Sequence, residues 1–338
     1  MTAESGERIA VVGGGSWGTA FAAMLAERHG DVALWVREPE VCDGIRSHRE
    51  NRVFLPRVSV PLAVRPTTDL GEALAGRGIV AFAVPAQHMR DVAGKAGAHL
   101  DPGAAVVSLA KGLENGTLLR MTEVLAKALA PSRARLAVLS GPTFAREVAG
   151  GMPSGATVAS EDPAVASVLQ SAFSGKRFRV YTGTDVTGIE IGGALKNVMA
   201  IAAGMSDGLG FGHNARALLI SRGLAEISRV GVRLGADPQT FYGLSGLGDL
   251  VLTCTGDLSR NRTVGMRVGK GERVDDILAG MRMVAEGVTT AHAAVDLSRR
   301  TGVAMPISEQ VHLILHEGKD ARAAVTELFS RALRREKD

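Results

Sequence analysis

Cysteine is scarce: Cys42 and Cys254 are the only two in 338 residues. That is too few for a disulfide framework or a cysteine-rich zinc module, and it suits a reducing compartment. Charge of one sign is scarce too, since 39 Lys and Arg stand against 35 Asp and Glu for a formal charge of +4. So mild an excess does not argue for nucleic acid and fits an anionic small molecule at least as well. No basic and then apolar leader opens the sequence, because Glu4, Glu7 and Arg8 precede the first apolar run, so export is not expected and a cytoplasmic chain is. No uninterrupted apolar span follows either: the stretch 193–212 is broken by Lys196, Asn197 and Asp207, so it does not read as a membrane segment. Aromatics make up 4% against 42 glycines, a balance expected where backbones pass close to ligands or to each other. At 46% hydrophobic and 22% charged, the chain is not disordered and is long enough for two domains with cores.

Short apolar runs at 9–12, 32–35, 79–84, 104–107 and 136–139 alternate with helical patterns. Such runs suit strands covered on both faces, as in a mostly parallel α/β sheet with crossover helices. Two further strands are expected at 157–158 and 178–181, at an edge. After about residue 186 the strand signal stops. The expectation is an α/β Rossmann-type domain over 1–186 and an all-α domain over 187–338. Within the first long helix of the second half, Ile191, Leu195, Val198 and Ala202 form one apolar stripe, which should be core. A neighbouring stripe of Gly193, Lys196, Ala200 and Ala203 leaves Lys196 as its one long polar group. The basic tail Arg331, Arg334, Arg335 and Lys337 reads as a solvated helix end.

Gly13-Gly14-Gly15-Ser16-Trp17-Gly18 satisfies G-x-G-x-x-G between the first strand and a helical run at 19–27. Gly13 permits the tight turn, Gly15 lets the backbone approach a pyrophosphate, and Gly18 lets the helix pack on the strand. Ser16 and Trp17 would lie beside the dinucleotide, whose charge meets free helix amides. At the end of the second strand stand Arg37 and then Glu38. A guanidinium there favours the 2′-phosphate of NADP, while Glu38 keeps NAD open. The pair Lys196-Asn197 lies inside an otherwise apolar helix; a lysine so placed is either held by partners and tuned for catalysis or snorkels to the surface.

The segment 193–214, GALKNVMAIAAGMSDGLGFGHN, closely resembles the signature of the soluble bacterial NAD(P)-dependent glycerol-3-phosphate dehydrogenases. Other blocks agree in order: GGGSWGTA, LWVR, FAVPAQ, SLAKGLE, SGPTFA, SGLGDLVLTC and SRNR. The resemblance spans nearly the whole chain. It implies a Rossmann domain followed by a helical one, and reduction of dihydroxyacetone phosphate to sn-glycerol 3-phosphate with NADPH, slightly favoured, or NADH, feeding phospholipid synthesis. It also makes a homodimer an expectation.

Carried over residue by residue, the resemblance makes Lys196 the general acid/base and Lys111 the lysine that positions substrate near the cofactor. Asn197 and Asp249 become the partners that orient this cluster, and without Asp249 the two ammonium groups would repel. Ser259, Arg260 and Asn261 match the part that holds the substrate phosphate, where a guanidinium can donate two parallel hydrogen bonds. Gly141 and Thr143 match further substrate contacts. Ala145, Val284 and Glu286 match cofactor contacts, as do Lys111 and Arg260.

The sequence departs from the family where Ala215-Arg216 follows Gly212-His213-Asn214 in place of Thr-Lys or Thr-Arg, and where Leu218-Leu219 replaces a smaller pair. His312 and His316 are four apart, but no third ligand is evident and no metal is expected. Cys254 reads as a packing residue. Two rivals remain: a related dehydrogenase acting on a hydroxy acid, and a dinucleotide sensor without turnover.

Overall fold

The computed structural model describes residues 7–281, 283–333 and 335–336. Glu4, Arg334 and Lys337, read above from sequence, lie outside the described residues. The chain alternates β1 (Ile9–Val12), α1 (Ser16–Ala26), β2 (Val32–Trp35), α2 (Pro39–His48), β3 (Glu50–Asn51), β4 (Leu55–Ser59), β5 (Val64–Thr67) and α3 (Leu70–Leu74). It continues with β6 (Ile79–Phe82), α4 (Met89–Ala96), β7 (Ala105–Ser108), α5 (Met121–Ala128), β8 (Arg135–Ser140), α6 (Ala145–Ala149), β9 (Ser154–Ala159), α7 (Pro163–Phe173) and β10 (Phe178–Gly183). Thereafter the described chain is helical: α8 (Val186–Gly208), α9 (His213–Arg233), α10 (Asp249–Thr255), α11 (Arg260–Gly269), α12 (Val274–Ala279), α13 (Glu286–Thr301), α14 (Pro306–Glu317) and α15 (Ala321–Phe329).

Eight strands form one sheet in the order β10-β9-β8-β7-β6-β1-β2-β5. All neighbours are parallel except β8 and β9, so β9 and β10 run against the rest. The four residues of β1, β6 and β7 are all buried, as expected of strands covered on both faces, and two apolar clusters fill those faces. Strand order reverses between β1 and β6, which leaves a crevice outside their carboxyl ends.

Several boundaries differ from the sequence reading. Helix α1 starts at Ser16 rather than 19, because Gly15 already serves as its N-cap. The strand expected over 79–84 ends at Phe82. The expected 157–158 strand is six residues long and lies inside the sheet, and only β10 is at the edge. Strand β5 on the opposite edge was not expected, since Arg65 and Pro66 break its apolar run; an edge strand tolerates both. Of the basic tail, the described Arg331 and Arg335 lie beyond α15, which stops at Phe329, where the Ser330 hydroxyl donates to the Glu327 carbonyl at 2.9 Å and satisfies the last turn.

Helix α8 organises the second half. It is long and apolar enough to cross a membrane by length and composition, yet 94% of its most apolar window is buried inside the protein. Ile191, Leu195, Val198 and Ala202 lie in the core shared by α9 to α15. Helix α11 crosses α8 with touching backbones: a Cβ on Gly204 would stand 2.0 Å from the Arg262 carbonyl oxygen, and one on Gly265 would stand 2.0 Å from that of Ile201. That crossing sets the start of α11 against the middle of α8.

Candidate active site

Strand β1 turns sharply into α1 through Gly13, whose φ is +122°. A Cβ at Gly13 would meet the Ala83 carbonyl oxygen at 2.6 Å, and one at Gly18 would meet that of Gly13 at 1.9 Å, whereas nothing lies within 4 Å of one at Gly15. The first and third glycines are therefore demanded by the protein's own packing, and the second faces open space. Helix α1 has no side-chain N-cap and no acidic residue in its first turn, so its leading amides are free for an anion. Ser16 opens that helix, and Trp17 tilts against Phe21 with ring centroids 5.4 Å apart. These features fit a dinucleotide pyrophosphate. At the end of β2, Arg37 donates from Nε and Nη2 to Glu38 Oε1 at 2.9 and 2.5 Å, with 68% of its side chain exposed. So exposed a pair is worth about 1 kcal/mol or less, which leaves the guanidinium free to exchange partners.

Beyond the carboxyl ends of β7 and β8, two lysines share one carboxylate. Asp249, 1% exposed at the start of α10, accepts from Lys111 Nζ at 2.7 Å on Oδ2 and pairs with Lys196 Nζ at 3.3 Å through Oδ1. Lys111 also donates to the Gly141 carbonyl at 2.9 Å and reaches Thr143 Oγ1 at 3.5 Å. Lys196 does not snorkel; it is 4% exposed. Its ammonium donates to Thr253 Oγ1 at 2.7 Å and Asn197 Oδ1 at 3.2 Å. With Asp249, these partners match its three donors. Burial depresses the Lys196 pKa to about 8, against the pull of Asp249 upward and with Lys111 adding to the fall.

Asn197 ties the cluster together. Its Nδ2 donates to the Lys111 carbonyl at 3.1 Å, and its Oδ1 also accepts from Asn261 Nδ2 at 2.9 Å. Asn261 Oδ1 in turn accepts the Gly287 N–H at 3.0 Å. One N–H of Asn261 is left over. The buried Ser259 hydroxyl accepts the Arg262 N–H at 3.2 Å and caps α11, which leaves its own hydrogen to donate. Arg262 is held by Asp207 and Asp257, both at 2.8 Å, and Arg216 pairs with Asp207 at 2.6 Å.

Arg260 opens α11 and makes no hydrogen bond or ion pair among the described residues. Its surface is exposed, yet enough protein surrounds the guanidinium for desolvation to lower its pKa, with Glu286 opposing; we place it at the mouth of the site. Glu286, half-buried at the start of α13, accepts the Ala86 N–H at 3.4 Å. Its pKa is raised by desolvation and drawn down by Arg260, Lys196 and Lys111, which places it within the field of the same cluster. Val284 is exposed, and Ala145 opens α6 just beyond Thr143.

Sequence reasoning missed Thr253, although it stands four residues after Asp249 on one helix face. It donates from Oγ1 to the Asp249 carbonyl at 2.6 Å while receiving Lys196. It also missed His292, which joins His312 and His316 with ring centroids 5.0 to 6.1 Å apart; no metal-holding group of three such side chains occurs among the described residues. Cys254 is fully buried, and burial pushes its thiol up to about 12. A cavity of about 620 Å³ between residues 210–215 and Phe329 holds none of these site residues.

Comparison with known proteins places the chain in one family. The family model described as NAD-dependent glycerol-3-phosphate dehydrogenase N-terminus matches residues 8–166, and its C-terminus counterpart matches 185–326. A glycerol-3-phosphate dehydrogenase [NAD(P)+] of Geobacter sulfurreducens is 54% identical over 332 residues, covering 98% of this chain and 99% of that one. One from Myxococcus xanthus is 54% identical over 325 residues, covering 96% and 97%. The crystal structure of glycerol-3-phosphate dehydrogenase from Coxiella burnetii superposes with a TM-score of 0.92 at 37% identity, covering 97% of this chain and all of that one. On the motifs, the fold and these relatives together, the chain belongs to the NAD-dependent glycerol-3-phosphate dehydrogenase family.

Proposed function

We propose that this chain reduces dihydroxyacetone phosphate to sn-glycerol 3-phosphate with NADPH or NADH, supplying glycerol phosphate for phospholipid synthesis. The observation that carries the reading is the Lys196–Asp249–Lys111 cluster outside the strand ends, with Arg260, unpartnered among the described residues, acting on the same Glu286 as the two lysines. The bound nicotinamide cofactor supplies the hydride. Lys196 gives a proton to the ketone oxygen as negative charge develops there, and a pKa near 8 suits transfer close to neutral pH. Asp249 offsets the repulsion between the two lysines at short range. Lys111, held by Gly141 and Thr143, orients the substrate, so proximity contributes to the rate. To release its proton, Lys196 exchanges one of its longer bonds, to Asn197 or Asp249, for the substrate oxygen.

Arg260 grips the substrate phosphate, aided by the free N–H of Asn261, with Ser259 fixing the helix start on which both stand. The cofactor would be held by Gly13, Gly15, Ser16, Trp17 and Gly18, with Arg37, Lys111, Ala145, Arg260, Val284 and Glu286 as its further contacts. Arg37 gives NADPH a slight preference. Residues 1–186 form the cofactor domain and 187–338 the substrate domain, in a cytoplasmic enzyme that pairs as a homodimer. The test follows nicotinamide absorbance with dihydroxyacetone phosphate and each cofactor. Consumption is expected; none with either cofactor rejects the reading, and faster turnover of hydroxy or keto acids favours the related-dehydrogenase rival.

A further inference from the structure

Glu190 is a buried carboxylate that the chemistry above does not use. Only 2% of its side chain is exposed. It lies on α8 but spends its bonds on the sheet half. Its Oε2 accepts from Arg120 Nη1 at 2.9 Å and Thr122 Oγ1 at 2.6 Å, and its Oε1 accepts the Thr122 N–H at 2.8 Å. Arg120 is the N-cap of α5, so the carboxylate sits at that helix's positive end. Burial raises the Glu190 pKa, while the Arg120 guanidinium and the two Thr122 contacts oppose that rise and favour the charged form.

The position matters because two lysine-bearing segments meet there. The loop from β7 to α5 carries Lys111 and ends at Arg120, and its Leu113 and Leu118 are already packed into the helical core. Glu190 precedes Lys196 by six residues, about 9 Å along a continuous helix. Helix α11, with Arg260 and Asn261, packs backbone to backbone on the same α8. The substrate side therefore moves with α8, while the glycine turn belongs to the sheet.

We propose that Glu190 is a positioning residue: by fastening α8 to the start of α5, it fixes the register of Lys196 against Lys111 and the cofactor domain. This rests on the reading of Lys196 as proton donor. Glu190→Gln weakens the hold of α8 on Arg120, which Glu123 of α5 also pairs at 3.3 Å, while preserving shape, and misplacement by even about 1 Å can cost two orders of magnitude in rate.

The experiment measures Glu190→Gln as the full chain. Its readouts are kcat, KM for dihydroxyacetone phosphate and NADPH, NADPH Kd by fluorescence, the deuterium isotope effect with NADPH labelled at the transferred hydrogen, and amide exchange over 119–125. Expected are a fivefold or larger fall in kcat, KM and Kd within threefold, a larger isotope effect on kcat and faster exchange. A merely structural glutamate would lower Tm and the folded fraction without this split. A smaller fall in kcat per folded molecule, or a loss expressed in KM, overturns the proposal. Should that variant fail to fold, Thr122→Val removes a single donor, and a fall in kcat of less than twofold overturns the proposal equally. Lys196→Met, run in parallel, separates the two ideas. Turnover retained there sinks the proton-donor reading, whereas an inactive Lys196→Met beside a normal Glu190→Gln sinks only the role of Glu190.

Discussion

Replacing Asp249 with asparagine should move the alkaline limb of ketone reduction to lower pH. Burial depresses the Lys196 pKa to about 8, and Asp249 is the strongest group resisting that fall. At the observed 3.3 Å, a unit-charge pair at an effective dielectric of about 20 interacts by about 5 kcal/mol, a ceiling since solvent and the remaining dipoles respond. Thr253 and Asn197 still accept from the ammonium after the change. Loss of one close opposite charge moves a pKa by about 1 to 3 units, and Lys111, stripped of the same carboxylate, pushes in the same direction. The expected Lys196 pKa in the variant is therefore about 5 to 7.

The direction follows from which form works. Reduction needs the protonated amine, so its rate is present below the Lys196 pKa and lost above it. Oxidation of glycerol phosphate needs the free amine and shows the opposite limb. The assay is kcat/KM against pH in both directions, which reports the form before substrate binds, above about pH 7 where the substrate phosphate is a dianion. At pH 7.5 reduction by the variant should fall by about three- to two-hundredfold across that pKa range, while the oxidation limb shifts to lower pH. A reduction limb that stays within half a unit of the parent, or moves upward, refutes the electrostatic account of Asp249.

Arg260→Ala should raise the apparent KM for dihydroxyacetone phosphate by about ten- to a hundredfold, the loss expected of a charge-assisted contact; an unchanged KM removes this arginine from the phosphate site. Arg37→Asp should lower the ratio of kcat/KM for NADPH to that for NADH, and an unaltered ratio refutes the role of its guanidinium. Glu226 concerns stability. Buried on α9, it accepts the Ile307 N–H at 2.6 Å and the Ser308 N–H at 3.3 Å at the start of α14, and burial raises its pKa from 4.5 to about 7. The folded state holds this proton more tightly than the unfolded one, so the stabilisation is complete below about pH 4.5 and lost as pH rises through about 7, at most about 3 kcal/mol. Urea unfolding at pH 5 and pH 8 should show that slope in the parent and a flatter one in Glu226→Gln; equal slopes refute it.

The local features of the site were legible in the sequence because each is fixed by chain neighbours. The glycine turn needs only a strand, a positive φ and a helix start in succession. The Lys196-Asn197 pair stands out because polar groups inside an apolar helix violate its periodicity. Thr253 escaped because a threonine near a helix end is usually read as an ordinary helix-end residue, and its partner Lys196 is 57 residues distant. Strand β5 escaped because β-propensity measures the fit to neighbours that a sequence does not display.

Sequence by itself determined the alternation of strands and helices, the place where strands cease, and the residue types at the turn and the lysine cluster. These follow from periodicity and from chemistry carried by adjacent residues. Tertiary structure alone decided that Lys196 is buried and paired instead of reaching for solvent, that one carboxylate serves two lysines from 53 and 138 residues away, and that Glu190 on α8 caps α5. Those outcomes depend on which backbones touch, and contact between remote segments is set by the packing of whole elements, to which no short stretch of chain has access.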